Sequence, residues 1–158
     1  MNNVNNAISP ADESGLITMI LDFVAFLARD PLSVDDVIKR VGDLDGDPGI
    51  PMPIALRSTL PGIRSASLTR YPDTGLPYLL TLVPSQDFHL TPRELAVVLG
   101  PYSSPAGNRD RNPEVIFSPR AGDERWSIAV IVEVERTGSA IDIAPVISIA
   151  FRRDPVGG

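Results

Sequence analysis

Alternating hydrophobic and polar positions are clearest near the end of the chain, over residues 126–151. Apolar side chains occupy every second position over residues 126–134 and again over residues 141–151. Because successive side chains of a strand point to opposite faces, this spacing predicts two strands, each with one strongly apolar face. The short connection between them contains Gly138, which suits a hairpin loop. Pro145 lacks a backbone N–H, so we expect the second strand to lie at a sheet edge or to carry a bulge.

A run of apolar residues near the start predicts a long helix over residues 10–29. Ser9 and Pro10 suit the N-cap and the first helical position, and Pro31 ends the helix because it disfavours helical geometry in the residue before it. The helix has a narrow polar stripe, formed by Thr18, Asp22, Ala25 and Arg29. A helix that is apolar on almost every other side is buried on more than one side. We therefore expect it to cover the hairpin, with another helix or a second subunit covering its remaining apolar stripe.

The middle of the chain predicts shorter elements. Ser33 and Thr91 each precede a short helix that has an acidic residue at its third position, which is the pattern of a capping box. Turn-forming residues at 72–75 favour antiparallel pairing of the strands on either side of them. Strands are predicted at residues 54–60, 63–71, 78–83 and 114–118.

Together these elements predict an α+β fold. We expect a mainly antiparallel sheet, a meander of about five to six strands, packed against the long N-terminal helix and two short helices. Nothing in the pattern suggests an internal repeat or a second core, so residues 1–158 are predicted to form a single domain. Residues 1–8 and 154–158 are expected to be frayed.

The formal net charge of −6 is unevenly distributed along the chain. Residues 1–50 hold nine Asp or Glu and three Lys or Arg, whereas residues 51–158 hold eleven of each. An acidic N-terminal third argues against nucleic acid as a partner, since the phosphates would be repelled. It is compatible with a basic protein partner, although an acidic surface also simply favours solubility.

Composition narrows the compartment and the chemistry. The chain has no cysteine, which excludes disulfides, thiolate metal sites and a cysteine nucleophile, and favours a cytoplasmic location. Thirteen of the fourteen basic residues are Arg, which we interpret as the codon usage of a GC-rich bacterial genome. The apolar run of the first helix is too short for a membrane span, and Asp22 interrupts it. Acidic residues precede it, unlike a signal peptide, so no membrane association is expected.

Motifs for catalysis, metals and cofactors are weak. Asp43, Asp45 and Asp47 have the first three spacings of a calcium loop, but Pro48 stands in place of the glycine and Ile54 in place of the bidentate glutamate. No Walker-type or G-x-G-x-x-G sequence occurs, and one histidine without cysteine leaves mainly carboxylates as metal ligands. We therefore predict no catalytic residue, no metal site and no cofactor.

Two groups of polar residues remain as candidates for function. Glu133 and Glu135 share one predicted strand face, where they suit acid–base chemistry or, more simply, salt bridges near Arg152 and Asp142 across the hairpin. The long polar loop 101–113 has the length of a functional or mobile loop. We select candidate binding residues in and beside this loop, namely His89, Glu94, Tyr102, Arg109 and Arg111.

Three functional hypotheses follow. The first is a non-enzymatic, acidic protein-binding module, such as an adaptor, a secretion-chaperone-like protein or a toxin-neutralising protein. It is favoured by the acidic N-terminal third, the two-sided apolar helix and the lack of a catalytic motif. The second is a small-ligand-binding protein or enzyme with a site under loop 101–113. The third is a structural subunit of a homo-oligomer, held together through the two-sided helix.

Overall fold

The computed structural model describes residues 4–45, 53–105, 110–119, 125–138 and 140–156, with side chains from Gly15 onward. Three α-helices and eight strands lie within these ranges, together with a short 3-10 helix at Ile141–Ile143. The helices are α1 (Val4–Leu27), α2 (Val34–Val41) and α3 (Pro92–Leu99). The strands are β1 (Gly42–Leu44), β2 (Ile54–Ser58), β3 (Ile63–Arg70), β4 (Pro77–Pro84), β5 (Tyr102–Ser103), β6 (Glu114–Phe117), β7 (Trp126–Val134) and β8 (Val146–Pro155).

The eight strands form one antiparallel sheet in the order β1-β2-β3-β4-β8-β7-β6-β5. The predicted α+β class is confirmed, but the predicted count of five to six strands is wrong. The two additional strands, β1 and β5, have three and two residues and lie at the edges of the sheet. Segments of two or three residues are too short to show an alternation of apolar and polar positions. They become strands through backbone hydrogen bonds to a neighbouring strand, which the sequence does not reveal. The predicted single meander is also wrong, because in a meander each strand pairs with the next one along the chain, whereas β4 pairs with β8.

The hairpin of β7 and β8 occupies the centre of the sheet. The first strand begins at the predicted residue but ends at Val134, before Glu135, and the second begins at Val146, because residues 141–143 form the 3-10 helix. Of the two alternatives predicted from Pro145, an edge position or a bulge, the edge position is wrong, because β8 lies between β4 and β7. Pro145 precedes the strand, where its missing N–H interrupts no ladder, and a register irregularity follows opposite Glu133. The strand continues to Pro155, into the segment expected to be frayed.

Helix α1 lies across the apolar face of the hairpin, as predicted, and the rings of Phe23 and Phe151 are 5.7 Å apart. The side chains of α1 are described over Gly15–Leu27, which is 13 residues. The part of the helix that is seen to pack is therefore shorter than the helix predicted over residues 10–29. The predicted polar stripe is exposed and the remaining apolar residues are largely buried. Helix α3 contacts α1, and the guanidinium of Arg40 on α2 lies over the Phe26 ring of α1. Another helix therefore covers part of the second apolar stripe, while Leu21 of α1 stays exposed.

One hydrophobic core lies between the helices and a single face of the sheet. Alternate residues of six strands supply the sheet side of this core, among them Leu56, Leu68, Leu80, Leu82, Val115, Phe117, Val130, Val132, Ile149 and Phe151. Val37 and Val41 of α2 and Leu95 and Leu99 of α3 join the same core. Among the residues that the structure describes, no helix has the length and apolarity that crossing a membrane requires.

Capping fixes the starts of the two short helices. Ser33 and Thr91 accept hydrogen bonds from the backbone N–H groups of Asp36 and Glu94, whose carboxylates accept in return from the cap residues. These reciprocal bonds satisfy N–H groups that the helix itself leaves unpaired. The two predicted capping boxes are therefore confirmed.

Candidate functional site

The residues selected in and beside loop 101–113 are placed as follows. The Glu94 carboxylate accepts hydrogen bonds from the backbone N–H and the hydroxyl of Thr91, both at 3.1 Å. The ring of Tyr102 packs against Phe117 with centroids 5.4 Å apart. His89 and Arg111 are exposed, and Arg109 lies outside the described residues.

No hydrogen bond or ion pair joins two of these selected residues within the described part of the chain. Glu94 is instead engaged in helix capping, and the carbonyl group of Arg111 accepts a hydrogen bond from Arg136. A cavity of about 610 Å³ opens beside α1, and Asp87 lines it while His89 does not. Among the described members of this group, Glu94 and Tyr102 thus have separate local contacts, in a helix cap and against Phe117.

The predicted salt bridges around Glu133 are wrong. Glu133 accepts hydrogen bonds from the side chains of Asn112 and Ser148 at 2.9 and 3.2 Å. Arg152 pairs with Asp154, two residues along its own strand, and Asp142 pairs with Arg93 of α3. Strand register explains the contact between Glu133 and Ser148, which lie directly opposite each other on β7 and β8, because only side chains on the same face and at matching positions can meet. Among the described residues, no group of three or more His, Asp or Glu side chains could hold a metal ion.

Within the described residues, no helix packs on the second face of the sheet, which we call the open face. The helices of the described chain all pack on the opposite face. The centre of the open face is formed by residues Leu79, Thr81, Ile116, Ala129, Ile131, Ala150 and Arg152. A sheet with one uncovered face ordinarily shows polar side chains there, so this mixture of apolar and small residues is notable.

A continuous row crosses four strands of the open face. Thr81 on β4 is opposite Ala150 on β8, which is opposite Ile131 on β7, which is opposite Ile116 on β6. All four side chains are half-buried. Such a row offers apolar contact area on a sheet surface, which suits contact with another macromolecule better than enclosure of a small ligand.

Two carboxylates border this row. Glu114 on β6 and Glu133 on β7 are directly opposite each other in register, so both side chains emerge on the open face. Like charges in this relationship are unfavourable. Glu133 is held by Asn112 and Ser148, whereas Glu114 is exposed. This pair was not selected from the sequence, because only the register of β6 against β7 brings two residues 19 positions apart together.

The edges of the sheet are less suited to binding than its open face. The outer strands β1 and β5 have three and two residues. Edges this short offer few unpaired backbone groups to an added strand. A partner is therefore better accommodated on the open face than along an edge.

Comparison with family models, with curated proteins and with solved structures finds no match to this chain. The functional argument accordingly depends on the geometry of the surfaces described above.

Proposed function

We propose that the protein is a non-enzymatic binding module that docks a basic partner protein on its open face. The observation that carries the proposal is the half-buried row of Thr81, Ala150, Ile131 and Ile116, bordered by the Glu114–Glu133 pair. A partner that lays apolar side chains along the row covers it. A Lys or Arg of the same partner reaches the two carboxylates and removes their repulsion.

Charge supports a basic partner over an acidic one. The chain has a net charge of −6, and two neighbouring strands of the open face carry opposed glutamates. The nearest cation on the central strands, Arg152, is already paired with Asp154 at 3.0 Å. Long-range attraction of a basic protein speeds its encounter with such a surface, and salt weakens that attraction. We also propose a bacterial cytoplasmic location, on the grounds of a composition that lacks cysteine and strongly favours arginine over lysine.

Site-specific photo-cross-linking in the protein's own host tests this proposal. A photoreactive phenylalanine analogue replaces Ile131 on the open face, and in a control chain it replaces Thr18 on the exposed stripe of α1. We expect an adduct with a second polypeptide from position 131 and none of that mass from position 18. The adduct is expected to disappear in the Glu114→Lys/Glu133→Lys background and to persist with Asp22→Lys, which changes charge on α1.

Other outcomes count against the proposal. An adduct with twice the mass of the chain would favour the structural-subunit hypothesis. An adduct that survives charge reversal at both glutamates would remove the argument for a basic partner. No adduct at position 131 would leave the open face without an occupant and sink the proposal.

The ligand-binding hypothesis for loop 101–113 has less support. Glu94 is engaged in the helix cap, and among the described residues neither His89 nor Arg111 forms a hydrogen bond or ion pair with it or with the other. A site there would depend on Arg109 or its neighbours, which lie outside the described residues.

A further inference from the structure

A small basic pocket lies where α1 meets α2. All three Lys and Arg residues of the first 50 positions line it, although this third of the chain is the acidic one. Its volume is about 370 Å³, and it is open to solvent. The lining consists of Phe26, Arg29, Pro31, Leu32, Asp36, Lys39 and Arg40.

Two guanidiniums of this pocket share one aromatic ring. The Cζ atoms of Arg29 and Arg40 lie 5.2 and 4.8 Å from the centroid of the Phe26 ring. The ring itself is buried between the helices and the core, with 5% of the residue exposed. Stacking on an aromatic face holds a guanidinium in place while its N–H groups remain free to donate. The pocket thus presents two oriented donor groups beside an ammonium.

The lining of the pocket holds more cations than carboxylates. Arg29, Lys39 and Arg40 form no ion pair with a described residue. Asp36 is the one acidic residue in the lining, and its carboxylate accepts the backbone N–H of Ser33. These Ser33 hydrogen bonds, with smaller contributions from Lys39 and Arg29, lower the pKa of Asp36. With three cations and one carboxylate in its lining, the pocket has a formal charge of about +2, which matches the charge of a divalent anion.

Both sides of the pocket are held by ordered structure. The carbonyl oxygen of Arg29 accepts a hydrogen bond from the buried Arg153 at 3.1 Å, which fixes the backbone at that position. Lys39 and Arg40 are on α2, whose start is fixed by the Ser33–Asp36 capping box. The backbone on both sides of the pocket therefore needs little ordering when an anion enters, which favours binding. A simpler explanation for these cations is that each stabilises the negative end of the helix dipole near which it lies. That explanation does not account for all three cations lining the same pocket.

We propose that this pocket binds the phosphate group of a small molecule. Arginine forks donate paired hydrogen bonds to phosphate oxygens, and a lysine adds a point charge. The volume exceeds that of the phosphate itself, so the pocket has room for part of the group that carries it. The phosphate is either free, as phosphate or pyrophosphate, or an ester of a small metabolite. This site lies on the helix side of the molecule and is independent of docking on the open face.

Titration of the full chain with three probes tests the proposal. Inorganic pyrophosphate and glycerol phosphate represent free and esterified phosphate, and citrate represents a polyvalent carboxylate. Backbone amide NMR shifts locate the site and calorimetry measures affinity. We expect saturable shifts at residues 29 and 36–40 with either phosphate probe, and weaker binding at higher salt. The probe that binds more tightly identifies the source of the phosphate.

Charge-neutral variants provide the matched comparison. Arg40→Gln and Lys39→Gln are each expected to weaken phosphate binding about tenfold, since each removes a charged hydrogen-bond donor. The control is Arg64→Gln, an exposed arginine of β3 outside this pocket. Circular dichroism confirms that each variant is folded. The proposal is overturned if neither phosphate probe saturates, if citrate binds as tightly as they do, or if the pocket variants bind as well as the control.

Discussion

The Nε atom of Arg153 lies 2.6 Å from the carbonyl oxygen of Leu27, to which it donates a hydrogen bond that connects strand β8 to the end of α1. The other guanidinium nitrogens donate to the carbonyls of Pro77 and Arg29 at 3.0 and 3.1 Å. Arg153 is 1% exposed, and its guanidinium stacks over Trp126 at 4.0 Å. Burial lowers the pKa of Arg153, but three carbonyl acceptors and an aromatic face compensate the charge for its lost hydration. The negative end of the α1 dipole adds to this stabilisation.

Replacing Arg153 is expected to be strongly destabilising. Arg153→Met fills similar volume but leaves three carbonyls without their donor, two from buried hydrogen bonds and one from a partly buried hydrogen bond. We expect the free energy of unfolding to fall by about 3 kcal/mol, measured by urea denaturation. Arg152→Met is the control, because Arg152 is half-exposed and pairs only with Asp154; its loss should be below about 1 kcal/mol. Equal losses in the two variants would contradict the anchoring role of Arg153.

Tyr71 gives a prediction about pH. Its hydroxyl donates to the carbonyl oxygen of Arg153, and burial raises the pKa of this phenol above its ordinary value of 10.0. Because the pKa of Tyr71 is higher in the folded state than in the unfolded state, its neutral hydroxyl contributes fully to the free energy of unfolding below pH 10. This contribution is lost as the pH rises through the pKa of the folded state. We expect Tyr71→Phe to lower the free energy of unfolding by about 1 kcal/mol at pH 8.

The same Tyr71→Phe difference should shrink above pH 10. Urea denaturation at pH 8 and at pH 10.5 compares the two chains, and absorbance of ionised tyrosine follows the titration directly. Tyr78→Phe is the matched aromatic control, since the Tyr78 ring lies 4.8 Å from that of Tyr71. A difference that grows with pH would show that the sign of this linkage is wrong.

Gly62 and Gly75 form a natural pair for testing backbone constraint. Both have positive φ, at 79° and 75°. A Cβ at Gly62 would lie 2.6 Å from the Phe88 ring, whereas a Cβ at Gly75 would meet nothing within 4 Å. Gly75→Ala is therefore expected to cost only the conformational term, about 1 kcal/mol. Gly62→Ala should cost about 2–3 kcal/mol, because the ring must also move.

A double variant separates the two costs at Gly62. Phe88→Leu removes the ring atoms nearest the added methyl group. Thermal unfolding of Gly62→Ala in this background should show a loss close to that of Gly75→Ala. A loss that stays unchanged would mean that Phe88 does not determine the requirement for glycine at position 62.

The opposed glutamates of the open face predict a stabilising substitution. Glu114→Lys replaces a like-charge cross-strand pair with an attractive one opposite Glu133. We expect the isolated chain to gain about 0.5–1 kcal/mol at low salt and less in 1 M NaCl. The comparison is Glu135→Lys, an exposed change beyond the end of β7. If Glu114→Lys is no more stable than the Glu135→Lys control, the repulsion between Glu114 and Glu133 does not destabilise the fold. A gain accompanied by loss of partner cross-linking would indicate that stability is sacrificed for binding at this position.

Charge composition was a poor guide to the distribution of charge over the surface. The acidic N-terminal third predicted an acidic region, yet its three cations converge on one pocket beside Phe26. The candidates near loop 101–113 were chosen for their chemistry, and Glu94 was then found in a helix cap. The type of a residue shows which interactions its side chain can form, but it does not show which neighbour it contacts in the folded chain.

Local patterns by themselves determined the elements whose interactions are local. The alternation over Trp126–Val134 specified a strand, the helical spacing specified the exposed stripe of α1, and Ser33 and Thr91 specified two helix starts. Each depends on contacts between residues a few positions apart. Only the tertiary structure decided that β4 pairs with β8, that Glu114 opposes Glu133, and that Arg153 reaches a carbonyl 126 residues away. These relationships depend on how separate elements pack, and the periodicity within any one element carries no record of its neighbour.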